Sequence, residues 1–244
     1  MSTLNDIKYY ASQSKITSTL VVINILCFFV FRLLDSRGFS ILYENDFLID
    51  WGADVAGLTF SGQYWRMFTN LFMHASFTHL AMNMLALWSI GPILEQRIPH
   101  MAFIGIYLFS GLVGSLSSDI ATINQNVISC GASGAILGII TALLAYCLVF
   151  RSNIQEMPIK AMLVSLVLTA GLGILPSINN MAHIGGACAG FVLGGLISLC
   201  LKTFKYPNKL ILFIISLLFV ITAFGLYIGY MHYALPNGYY LYYK

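Results

Sequence analysis

A chain of 244 residues that is 59% hydrophobic and only 9% charged has too much apolar surface for one globular core, and well under the charge of roughly 25% that a soluble domain carries. A bilayer absorbs such surface, so the composition excludes an ordinary soluble domain. The net charge of +3 and the lack of any Lys/Arg run or stacking motif exclude nucleic acid as a partner.

A spanning helix needs about 20 mostly apolar residues, and the sequence predicts seven such stretches. The first, 17–34, follows Lys8 and Lys15. It is longer than a signal-peptide core and no small-residue cleavage site follows it, so it reads as a retained helix. A long loop, 35–76, comes next and holds Trp51, Trp65 and Arg66. Loops of this length inside compact domains are usually functional or partly structured.

The second stretch, 77–96, carries His79 and Asn83 and is preceded by His74. A spacing of four puts His79 and Asn83 on one helix face, and a face with two hydrogen-bonding side chains turns toward other helices. Such a pair also serves simply to hold helices together. Glu95 closes this stretch and reads as a structural link at the helix end, with Arg97 as its partner. The third stretch is 101–118.

The fourth, 133–150, opens with Gly131-Ala132-Ser133-Gly134. A serine in a membrane helix commonly bonds its own backbone, but flanking glycines let other chains approach this hydroxyl. The fifth stretch is 159–175. The sixth, 182–201, opens with Ala182-His183-Ile184-Gly185-Gly186. Gly186, Gly190 and Gly194 form a stripe for close helix packing, and His183 lies one turn before it. Taken alone, His183 also reads as a neutral histidine bonded to a carbonyl. The seventh stretch is 209–231. The five cysteines lie in or beside these segments without paired spacing and read as buried, inert thiols.

Lys and Arg gather on the cytoplasmic side of short loops. With the N-terminus cytoplasmic, Lys8, Lys15, Arg97, Arg151, Lys160, Lys202, Lys205 and Lys209 fall inside, leaving Arg32, Arg37, Arg66 and Lys244 outside. The outer side holds Asp35, Glu44, Asp46, Asp50, Asp54 and Asp119, and the tyrosines from Tyr227 to Tyr243 suit an outer aromatic belt. In this threading the second, fourth and sixth helices run parallel, and His79, Ser133 and His183 start them at similar depth. A serine beside a histidine is the minimal acyl-transfer arrangement, and His79 and Asn83 face the same spot as donors to a developing oxyanion. Glu95, sixteen residues beyond His79, is about 24 Å away at 1.5 Å per residue. It cannot orient His183, so the residues read as a dyad.

Trp65-Arg66, His74 with His79 and Asn83, Gly91-Pro92-Ile93-Leu94-Glu95, Gly131-Ala132-Ser133-Gly134, and Ala182-His183 through Gly190 together resemble the rhomboid intramembrane serine proteases over about residues 60 to 200. The resemblance implies an all-α membrane fold, a six-helix bundle over 17–201 with an added C-terminal helix and outer tail over 202–244, after a cytoplasmic segment 1–16. It implies Ser133 as nucleophile, His183 as general base, and an oxyanion hole from the Ser133 N–H, His79 and Asn83. His74, Gly131, Gly134 and Gly186 are supporting residues. It implies no cofactor and no metal, and transmembrane protein substrates in the lipid bilayer of a bacterial inner membrane. Polar His74, Ser76, Thr78 and His79 are expected to line a water-filled opening, and 159–181 to act as gate and cap, with Gly171, Gly173 and Pro176 as flexible points. The competing readings are an inactive rhomboid-like protein that binds or escorts clients, and a transporter. The first normally lacks the serine or the histidine, and the second needs paired charges along a pathway, where the inner halves of these spans hold only Glu95.

Overall fold

A computed structural model describes residues 14–123, 125–151, 157–170, 180–229 and 231. Seven longer helices carry the fold: α1 (Lys15–Leu34), α2 (Phe77–Glu95), α3 (His100–Thr122), α4 (Ser133–Phe150), α5 (Ile159–Ala170), α6 (Asn180–Thr203) and α7 (Asn208–Gly229). All but α5 are long and apolar enough to cross a membrane. The chain is a multi-pass, all-α membrane protein, and the seven predicted stretches each coincide with one helix. The described part of the fifth is the shorter helix Ile159–Ala170. Gly171, Gly173 and Pro176, Lys8, Lys244 and the tyrosines beyond Tyr227 lie outside the described residues.

The helices differ in how much they bury. In α3 and α4, 61% of the apolar window is buried, against 11% in α7. The core lies between α2, α3, α4 and α6, filled by Leu87, Ile90, Phe103, Ile106, Ile136, Ile139, Leu193 and Ile197. The outer faces of α1 and α7 present Leu26, Leu33, Val220 and Phe224, side chains for which lipid is a fit solvent. The seam between α4 and α6 is made backbone to backbone. A Cβ at Gly186 would collide with the Gly134 carbonyl, and one at Gly190 with that of Gly138. Small residues at this spacing allow two membrane helices to close on each other.

The long loop holds three short helices, Glu44–Asp50, Ala56–Phe60 and Arg66–Thr69. Arg66 braces them. Its Nη1 donates to the Ile49 and Ala53 carbonyls at 2.6 and 2.8 Å, and its Nε to Gln63 Oε1 at 2.7 Å. Trp51 stacks on Phe31 of α1 with centroids 4.8 Å apart, and its Nε1 donates to Asp35. The loop reaches the segment before α4 through two backbone hydrogen bonds, Asp54 N to Ser129 O and Ser129 N to Asp54 O, each 2.8 Å.

Several expectations need correction. Glu95 is a structural link, but its partner is not Arg97. Its carboxylate accepts from Ile16 N, Thr17 N and Thr17 Oγ1 at 2.9, 2.9 and 2.7 Å, caps the orphan N–H groups at the start of α1, and leaves Arg97 to the Ile93 carbonyl. Asp119 is not a loop residue. The third helix continues to Thr122 because Leu116 and Ile123 pack under Ala56 and Phe60 of the loop, and this buries Asp119 to 1% exposure. All five cysteines are free, but only Cys147 and Cys200 are buried. Cys27 and Cys130 are half-buried, and Cys188 is exposed on α6.

Candidate active site

The N-terminal ends of α2, α4 and α6 meet at one end of the bundle. Ser133 is the first residue of α4 and His183 lies in the first turn of α6. Because the glycine seam lets these two helices touch, His183 Nε2 comes to 2.8 Å from Ser133 Oγ. Both side chains line a half-open cavity of about 380 Å³. Among the described residues no carboxylate is bonded to His183. At this separation the imidazole can take the hydroxyl proton as the oxygen attacks a carbonyl.

Gly131 makes the turn into α4 with φ of +120°, a conformation that side chains avoid. Its missing side chain also keeps a space clear. A Cβ there would stand 2.7 Å from His79 Nε2 and 3.4 Å from Asn83 Nδ2. Two side-chain nitrogens of α2 thus converge on the ground in front of Gly131, beside the start of α4. Asn83 is buried to 2% exposure and its Nδ2 has no hydrogen-bond partner among the described residues. Buried amides are nearly always paired, so this donor stands out as hydrogen-bonding capacity left open beside Gly131. Ser76 caps α2 by accepting from His79 N at 3.1 Å, which fixes the turn that carries His79.

The supporting residues divide. Gly134 and Gly186 form the close approach of α4 and α6. His74 does not line the opening as expected. It is fully buried behind His79, with ring centroids 5.1 Å apart in an edge-on contact, in the short segment that links the 3-10 turn ending at Phe72 to the cap Ser76. Burial, then the neighbouring His79, holds its imidazole pKa well below the ordinary range, so it packs as a neutral ring. Ser76, Thr78 and His79 do line the cavity.

Sequence reasoning missed other wall residues. Asn70 and Ser115 are joined at 3.0 Å, and the Asn70 carbonyl accepts from Gly131 N at 2.9 Å. Thr169 of α5 and Glu44 of the loop also line the cavity. These contacts join residues far apart in sequence, and no local spacing signals them. Cys130 lines it too, but burial pushes its thiol pKa up to about 12, which leaves little reactive thiolate.

The sequence signature of the Rhomboid domain matches residues 61–200. Rhomboid protease GluP of Bacillus subtilis is 33% identical over 91% of this chain and 41% of that protein. Rhomboid protease AarA of Providencia stuartii is 32% identical over 80% of this chain and 74% of its own length. RHOMBOID-like protein 5 of Arabidopsis thaliana is 38% identical over 59% of this chain and 47% of that protein. The chain thus spans about half the length of several curated relatives it matches. On its signature, its relatives and its helical bundle, the chain belongs to the rhomboid family.

Proposed function

We propose that this chain is an intramembrane serine endopeptidase that cuts transmembrane proteins through an acyl-enzyme. The observation that carries the reading is the 2.8 Å approach of His183 Nε2 to Ser133 Oγ inside the cavity. His183 accepts the hydroxyl proton while Oγ attacks the scissile carbonyl carbon. The carbonyl oxygen becomes an oxyanion held by the Ser133 N–H, His79 Nε2 and Asn83 Nδ2. The tetrahedral intermediate collapses, the C–N bond breaks, and the leaving amine takes the proton from His183. Water, deprotonated by the same imidazole, then hydrolyses the ester and restores Ser133.

A helical carbonyl is occupied by its own N–H inside the membrane, so substrates are single spans with helix-breaking residues near the outer end. The catalytic core is 17–201, and 202–244 is an addition. The N-terminus is cytoplasmic, the cavity opens outward, and the chain resides in a bacterial inner membrane. The Lys/Arg distribution and the bacterial relatives support this placement. A cysteine placed at Asn126 in a cysteine-free background is expected to react with an impermeant thiol reagent from outside. Reaction only after permeabilisation reverses the threading.

The decisive experiment is cleavage of a single-span reporter in detergent. Wild type is expected to cut it and to be labelled by a fluorophosphonate. Ser133→Ala and His183→Ala are each expected to lose cleavage, with the double variant no worse than either, because residues that act as a unit are not additive. Full activity in Ser133→Ala ends the reading.

A further inference from the structure

The cavity around Ser133 and His183 is lined by α2 to α6 and the segment before α4, and on one side by the loop helix Glu44–Asp50. Glu44 is the single Asp, Glu, Lys or Arg among its lining side chains. It is half-buried. The ion pairs found among the described residues are Arg37 with Asp35 and with Asp50, and His100 with Glu95, and Glu44 is in none of them. Arg32 feels the charge of Glu44, but its guanidinium donates to the Ala75 carbonyl at 2.5 Å and lies over the rings of Phe28 and Phe47. Arg32 is thus the opposite charge nearest to Glu44, but it is buried behind the wall and forms no ion pair with it, so the carboxyl group that lines the cavity is that of Glu44 alone.

A carboxylate lining a concave wall attracts cations and repels anions that enter it, and specificity arises when one partner gains a contact that its competitor finds repulsive. Resting on the protease reading above, we propose that Glu44 is a specificity-determining residue that selects substrates carrying a lysine or arginine beside the scissile bond and rejects those with an acid there. Basic residues are scarce on the outer flanks of membrane spans, so few spans offer Glu44 this contact.

The test is a set of single-span reporters that differ by Lys, Gln or Glu at each of several positions on either side of the cut. For each enzyme variant the readout is the ratio of kcat/KM between reporters, which cancels any loss of folded protein. In wild type at least one position is expected to favour Lys over Gln, and Gln over Glu, by about two- to fivefold each, the range of a half-exposed ion pair. The ratios shrink as salt rises from about 0.05 to about 0.5 M. In Glu44→Gln they collapse toward one, and in Glu44→Lys they invert. Identical ratios in wild type and Glu44→Gln overturn the proposal, as does a wild type that cuts all reporters without regard to charge. A wild type that cuts none of them, the uncharged one included, removes the protease reading and this proposal with it.

Discussion

Asn83 and Glu95 sit on the same helix, each buried to 2% exposure, and burial alone does not tell them apart. Glu95 has both carboxylate oxygens engaged by the first turn of α1. Asn83, toward the other end of α2, holds an amide nitrogen with no partner among the described residues, aimed at the space in front of Gly131. The difference separates two uses of a polar group. Hydrogen-bonding capacity spent within the fold holds helices together. Capacity left unspent costs stability, and under the proposed mechanism it is recovered when an oxyanion forms.

That contrast predicts opposite losses from two alanine variants. Glu95→Ala strands two backbone N–H groups and a threonine hydroxyl, and is expected to lower stability by about 4 kcal/mol at the usual cost of unpaired buried groups. Thermal unfolding in detergent measures this, and kcat per folded molecule is expected to stay unchanged. Asn83→Ala is expected to keep the unfolding midpoint while turnover falls about a hundredfold, about 2.7 kcal/mol in the transition state, with little change in KM. A rise in KM at constant turnover removes Asn83 from the oxyanion hole.

Two smaller effects sharpen the same comparison in the loop. Burial pushes the Asp54 carboxyl up to about 6, against the opposing pull of the Thr59 hydroxyl and Arg66. A carboxyl with a raised folded pKa favours its neutral form, so its contribution to stability falls as pH rises from about 4 through about 6. Asp54→Asn is expected to flatten that slope, read from unfolding midpoints across the range. An unchanged slope assigns the pH dependence to other groups. The smallest effect is expected of Arg66→Lys, which keeps the charge and loses the fork that reaches Ile49, Ala53 and Gln63. It is expected to cost about 1 kcal/mol of stability with kcat untouched, and a loss of kcat at full stability contradicts that.

The helices were legible because hydropathy is a local property. Each predicted stretch falls on a helix, with ends displaced by a few residues where tertiary contact extends the pattern, as Phe60 does for the last turn of α3. The grouping of Ser133, His183, His79 and Asn83 was legible from glycine spacing and alternating direction. Partner choice was not. Arg97 was the nearest cation in sequence to Glu95, yet a helix start 78 residues away holds that carboxylate. His74 looked like a channel residue from its polarity, but its packing behind His79 buries it instead. The loop's own architecture escaped because Arg66 organises it through backbone carbonyls, which leave no trace in residue type.

The hydrogen bond between Ser133 and His183 joins residues 50 positions apart, with α5 between them. A chain is made from its N-terminus at about 5–20 residues per second, so about 3–10 s pass between synthesis of the serine and synthesis of the histidine. For that interval α4 is built and the Ser133 hydroxyl lacks its His183 partner. The contact between the ends of α4 and α6 therefore forms only once the sixth helix has been made and packed along the glycine seam.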